Sequence, residues 1–145
     1  MSQLNTFKGL ATVTLLNLHF YFVGWGRVSG WGPLADQLKQ AKLQVRSDED
    51  CKEKYSNLYN KNVHLCAGEG RVGASGGCQG DSGGPFVCEM GDTWYLQGAV
   101  SFGMTRCTTA YYTVFTKITS YVSWILDIIG LFIDSLSALP ILVRL

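Results

Sequence analysis

Gly77-Cys78-Gln79-Gly80-Asp81-Ser82-Gly83-Gly84-Pro85 sets a serine and an aspartate among four glycines. A serine hydroxyl is a poor nucleophile at neutral pH. To attack a carbonyl it needs a base for its proton, a group that orients the base, and donors for the oxyanion that develops. The glycines suit only the last task. Gly80 lets its N–H turn inward beside that of Ser82, while Gly83 and Gly84 let the backbone leave a crowded bend without a Cβ in the way. Asp81 is turned inward if the loop closes this way, and a buried carboxylate needs a cation or several donors. Taken alone, the pentapeptide Gly-Asp-Ser-Gly-Gly also reads as an ordinary flexible turn. The chain has only two histidines, His19 and His64, and neither has an evident carboxylate partner.

Composition narrows the classes. A chain of 145 residues that is 47% apolar and 16% charged can bury one core and is not composed like a disordered segment. Its 12 basic and 11 acidic residues leave a formal charge of +1 without a Lys/Arg cluster, so no field gathers nucleic acid. Seventeen glycines beside seven tyrosines, seven phenylalanines and four tryptophans point to short strands joined by tight turns, a mostly β domain. The cysteines are Cys51, Cys66, Cys78, Cys88 and Cys107. None has the paired CxxC spacing of a zinc site, so disulfides in an oxidising compartment are expected, with one cysteine left over, and no metal or organic cofactor is implied.

Along the chain, residues 10–23 read as one or two strands, and Gly24-Trp25-Gly26 breaks the run. Leu38 to Val45 reads as the next strand, with Lys39 and Lys42 toward water. Ser47 is a capping residue ahead of one or two helical turns, with Asp50 as an imperfect capping-box acid. Val63 to Ala67 is a short strand, and Gly68 to Gly84 is too rich in glycine for a regular element. Pro85 to Cys88 and Thr93 to Phe102 form a hairpin turning over Glu89 to Asp92, and Tyr112 to Ile118 is a further strand. From Ser120, the expected cap, Val122, Ile125, Leu126 and Ile129 recur at helical spacing. The helix is expected to pack its apolar side on the strands and to fray near Gly130.

Taken in order, Gly24-Trp25-Gly26, Cys51 to Cys66, Cys66-Ala67-Gly68, the Cys78-to-Pro85 run, and Ser101-Phe102-Gly103 ahead of Cys107 resemble the carboxyl-terminal half of a trypsin/chymotrypsin-family serine protease, over about residues 20 to 131. The resemblance implies an all-β fold: the second β-barrel of a two-barrel enzyme with a C-terminal helix, the first barrel being absent. The implied organisation is an atypical segment at 1–22, a partial protease domain at 23–131 and an apolar tail at 132–145. The implied roles fall on Ser82 as nucleophile, on the N–H groups of Gly80 and Ser82 as oxyanion hole, and on Asp81 as acceptor of the amino terminus that appears when a family zymogen is cut. The family's histidine motif, Thr-Ala-Ala-His-Cys-like, and its aspartate motif, Asp-Ile-Ala-Leu-like, do not occur, nor does the Ile-Val-Gly-Gly-like activation sequence. His19 and His64 fall where the family has no base and read as ordinary strand or surface histidines.

The resemblance also implies the substrate-binding set Gly76, Gln79, Ser101, Phe102, Gly103 and Thr113. Gly76, six residues before Ser82, is the pocket base and carries no carboxylate to pair with a lysine or arginine. Gly103 leaves one wall open and Thr113 narrows another, so a small or medium apolar residue before the cut is expected, more elastase-like than chymotrypsin-like. Phe102 replaces the family's usual tryptophan beside the strand that pairs with substrate. The implied disulfides are Cys51–Cys66 and Cys78–Cys107, each contributing roughly 2–4 kcal/mol, with Cys88 unpaired.

The expected function is a serine endopeptidase, inactive as this isolated stretch. The alternative is a non-catalytic peptide- or protein-binding homologue. The partners are a peptide or protein substrate and the missing N-terminal barrel. Family resemblance places the chain in the secretory pathway or outside the cell. Yet the apolar stretch from Leu10 to Val23 after Lys8 is interrupted by Asn17 and His19 and closes on no small-residue cleavage pattern, so it is not a credible signal peptide. The apolar C-terminus carries Asp127, Asp134 and Pro140, so no charge-free span of about 18 residues forms and a membrane-spanning helix is not expected.

Overall fold

The computed structural model describes residues 19–90 and 92–133. Six strands, β1 (His19–Gly24), β2 (Lys39–Lys42), β3 (His64–Ala67), β4 (Pro85–Met90), β5 (Thr93–Phe102) and β6 (Thr113–Lys117), form one antiparallel sheet in the order β2-β1-β4-β5-β6-β3. Helix α1 (Asp48–Tyr55) precedes β3, and α2 (Val122–Ile133) follows β6. The strand expected across residues 10–18 and the apolar tail from 134 onward lie outside the described residues.

Among the described residues the expected second barrel is not formed. The sheet stays open, with β2 and β3 as its edges. Beyond β2 the chain reaches β3 through a single bridge, Val45 to Ala67, flanked by the Arg46 N–H to Cys66 O and Gly68 N–H to Gln44 O bonds. The pairing cannot run on into a ladder. Ser47 caps α1 two residues later, taking the Asp50 N–H on its hydroxyl at 3.0 Å, and β3 is itself only four residues long.

Period-two alternation places the core. Phe20 and Phe22 of β1 turn inward to meet Phe86 and Val100, Phe115 and Leu43 join them, and all six are buried. Phe86 and Phe115 stack at 4.3 Å between ring centroids. Burying a side chain of this size stabilises by roughly 1.5–3 kcal/mol. A second cluster gathers Cys51 and Tyr55, one turn apart on α1, with Tyr59, Cys66 and Val114. Its Cys51–Cys66 bridge ties helix to sheet. Lys39 and Lys42 are exposed on edge strand β2, which guards that edge against pairing with another chain.

The hairpin turns later than expected, because β4 continues to Met90 before β5 opens at Thr93. Ser120 does not cap α2: it sits in a 3-10 turn at Ile118–Ser120, and its hydroxyl donates to Asn62 O at 2.6 Å. Helix α2, expected to fray near Gly130, continues to Ile133. Its apolar residues are divided between a half-buried side, with Ile125 and Ile129, and an exposed side, with Trp124, Leu126 and Ile128. Among the described residues no helix is long and apolar enough to cross a membrane.

Candidate active site

The Gly77–Pro85 run folds around the Asp81 carboxylate. Asp81 is 7% exposed. Its Oδ1 accepts the Gly26 N–H at 2.7 Å and its Oδ2 the Cys78 N–H at 2.8 Å. Gly24 and Gly26 are glycines for a steric reason, since a Cβ on either would run into this carboxylate. The loop then closes on itself through Asp81 N–H to Cys78 O at 3.0 Å and Gly84 N–H to Asp81 O at 2.9 Å. It is sewn to β5 by Gly83 N–H to Val100 O and Val100 N–H to Gly84 O, both 2.9 Å.

Ser82 stands exposed at the crest of this turn. Gly80, with φ of +95°, turns the chain just before it, a conformation that only glycine adopts without strain. Among the described residues the N–H groups of Gly80 and Ser82 meet no backbone acceptor. The loop therefore spends the N–H groups of Cys78, Asp81, Gly83 and Gly84 on bonds and leaves those of Gly80 and Ser82 open. The buried carboxylate is satisfied by backbone donors rather than by a cation: among the described residues the one salt bridge is Glu69–Arg71 on the surface.

Behind the loop, a cavity of about 390 Å³ runs from Asp81, Gly24 and Gly26 to Gly76, Cys107 and Thr109. Thr113 is buried, and its Oγ1 accepts the Gly77 N–H at 2.8 Å. A Cβ on Gly76 would lie 3.2 Å from Thr109 Cγ2 and 3.4 Å from Thr113 Oγ1. Two threonines thus crowd the Gly76 floor. Gly103 is exposed with open space where a Cβ would be. The β4 ladder ends at the Pro85 and Ala99 pair, so Phe102 pairs on the β6 side alone, with Val114, and Ser101 falls in the irregularity between Val100 and Phe102 without a register partner. Gln79 is exposed, and its carbonyl accepts the Arg27 N–H at 2.8 Å.

The histidines stand elsewhere. His19 is exposed on β1 opposite Glu89 in register, without an ion pair. His64 spends its Nδ1 on the Asn60 N–H at 3.1 Å and packs its ring against Phe102 and Tyr59. Neither is ion-paired with a carboxylate among the described residues. Cys51–Cys66 and Cys78–Cys107 are bonded. Cys88 is free and buried on β4 opposite Phe20, and burial pushes its thiol pKa up. The described residues hold no cluster of metal-ligating side chains.

Two contributors escape a reading of the sequence. Gly26 supplies a donor to Asp81 from 55 positions away, and only the glycine pair in Gly24-Trp25-Gly26 hints at a close approach. Thr109 closes the pocket floor from a stretch with no motif of its own.

Comparison with known proteins adds the family. The family model described as Trypsin matches residues 9–125, beginning inside the segment set apart at 1–22. Granzyme-like protein 1 of Rattus norvegicus is 35% identical over 72% of this chain and 40% of its own length. Ovochymase of Halocynthia roretzi is 37% identical over 81% of this chain and 7% of its own length. The chain spans less than half of either relative.

Proposed function

Because the chain belongs to the trypsin family of serine proteases, we propose that it carries the nucleophile half of a serine endopeptidase. Ser82 Oγ attacks the peptide carbonyl carbon, and a histidine supplied from outside these 145 residues takes its proton. The N–H groups of Gly80 and Ser82 receive the oxyanion. The histidine passes the proton to the leaving amine as the C–N bond breaks, and water then releases the acyl group from Ser82. The observation that carries this reading is the pair of open N–H donors beside an exposed serine, in a loop otherwise closed on a buried carboxylate.

Asp81 serves a second purpose. The cavity against its carboxylate has room for the α-amino group of a cleaved family zymogen, whose charge would pair with Asp81 and order the oxyanion loop. The preferred substrate has a small or medium apolar residue before the cut, since Gly76 offers no charge and Thr109 and Thr113 narrow its surroundings. Two disulfides fit a secretory or extracellular setting.

Alone, the chain lacks a base for Ser82. A serine site without its triad partners keeps at most about 10³ to 10⁴ over water from its oxyanion hole and binding contacts. Labelling with a fluorophosphonate probe, followed by peptide mapping, tests both parts. The expected result is slow modification confined to Ser82 and abolished in Ser82→Ala. Labelling as fast as that of an intact protease would show that the chain has its own base. Labelling no faster at Ser82 than at other serines would remove the nucleophile and leave the binding-homologue reading.

A further inference from the structure

Phe102, the wall beside the substrate edge in the reading above, is held by two other rings. Tyr55 meets it at 5.4 Å between centroids with planes at 87°, and His64 meets it at 5.4 Å with planes at 79°. Tyr55 is a fixed support. Its hydroxyl donates to Tyr112 O, and burial, with Tyr111 beside it, pushes its pKa up to about 12. His64 is the support whose charge can change near neutrality.

Its hydrogen bonds commit it to one protonation state. Nδ1 accepts the Asn60 N–H at 3.1 Å, so the proton of the neutral ring sits on Nε2. The same turn is closed by His64 N–H to Asn60 O at 2.8 Å, Val63 N–H to Asn60 O at 3.1 Å and Asn62 N–H to Asn60 Oδ1 at 3.0 Å. A protonated ring carries a hydrogen on Nδ1, directed at the Asn60 N–H. Two donors then face each other, and the bond is lost.

Among the described residues no carboxylate is ion-paired with the ring. Tyr59, at 6.0 Å on the other side, bonds its hydroxyl to Asp48 Oδ1 and His64 O, and burial followed by Asp48 raises its pKa. Asp48 is thereby engaged with Tyr59. Lys61 lies in the turn and Lys117 of β6 donates its ammonium to Lys61 O, while Glu49 of α1 acts with Asp48 on the Tyr59 hydroxyl rather than pairing with the imidazole.

We propose that His64 is a positioning residue for the substrate edge: its neutral ring, fixed by the Asn60 N–H, holds Phe102 against Tyr55, and protonation releases that wall. Peptide binding along Ser101–Gly103 is therefore acid-sensitive, a consequence that rests on the substrate-edge reading of that strand. Burial lowers the His64 pKa from its ordinary 6.5. The sign is that of a group with a depressed folded-state value. Its stabilisation is present above about 6.5 and is lost as pH falls through the folded-state midpoint.

Carbon-13 spectra of the histidine and phenylalanine rings in the full chain, recorded from about pH 8 to about pH 4.5, test the coupling. The Phe102 ring signals are expected to move with the midpoint of His64, below 6.5. In His64→Asn, whose side-chain oxygen can still accept the Asn60 N–H without titrating, they are expected to hold their neutral-pH positions throughout. His64→Gln serves if the first variant does not fold. A titrating His64 with an unresponsive Phe102, or an unchanged Phe102 midpoint in the variant, overturns the proposal. In a second arm, succinyl-trialanine p-nitroanilide is titrated while the Ser101 and Gly103 amides are followed. Its affinity is expected to fall about tenfold per pH unit below the His64 midpoint and to be pH-independent in His64→Asn. If the probe fails to bind at any pH while Phe102 still tracks His64, the substrate-edge reading fails and the positioning role stands.

Discussion

Residues 69–75 and 76–84 are neighbouring stretches of one glycine-rich loop, and they are held in different ways. In the first, Val72 is 79% exposed, Glu69 and Arg71 pair on the surface, and Ala74 N–H reaches Arg71 O at 3.3 Å. In the second, a buried carboxylate gathers donors from Gly26 and Cys78, Thr113 takes the Gly77 N–H, and β5 takes the Gly83 N–H. Glycine content is what the two share. Order comes to the second from one buried acid and its backbone donors, and that order is what presents Ser82.

The largest break in this contrast should come from Asp81→Ala, which leaves the Gly26 and Cys78 N–H groups without their acceptor. Each such bond to a charged group contributes about 1.5–3 kcal/mol, so a loss of about 3 kcal/mol in a urea unfolding curve is expected, and a loss below about 1 kcal/mol would contradict the assignment. The smallest should come from Glu69→Gln in the other stretch. That pair is solvent-exposed, so its removal is expected to move the same curve by no more than about 0.5 kcal/mol. A change at Glu69 as large as the one at Asp81 would erase the distinction.

Legibility follows the range of the interactions. The Ser47 cap and the α1 helix were readable because a capping hydroxyl and its N–H lie three residues apart. The strands around Phe20, Phe86 and Phe115 were readable from runs of β-forming residues set between turns, and the disulfide pairs from the family resemblance. Sheet closure was not, because it turned on whether residues 43–46 would continue as a ladder or yield to the helix cap that follows them. Ser120 misled for a similar reason: a serine ahead of an apolar helix has the form of a cap, but Asn62 O, 58 residues away, takes its hydroxyl. In the site, Asp81 announced that it needed donors without revealing that Gly26 is one. The turn at Gly80 and Ser82 was legible through the motif, whereas the approach of Thr109 to Gly76 was visible only once the loop had folded beside it.

Amide hydrogen exchange across residues 69–84 and at Gly26 is the most direct measure of whether Asp81 builds the loop that presents Ser82. The account predicts slow exchange at Gly26, Cys78, Gly83 and Gly84, fast exchange at Val72 and Gly73, and fast exchange at Gly80 and Ser82, whose N–H groups stand open. Equal, fast exchange along the whole stretch would contradict it.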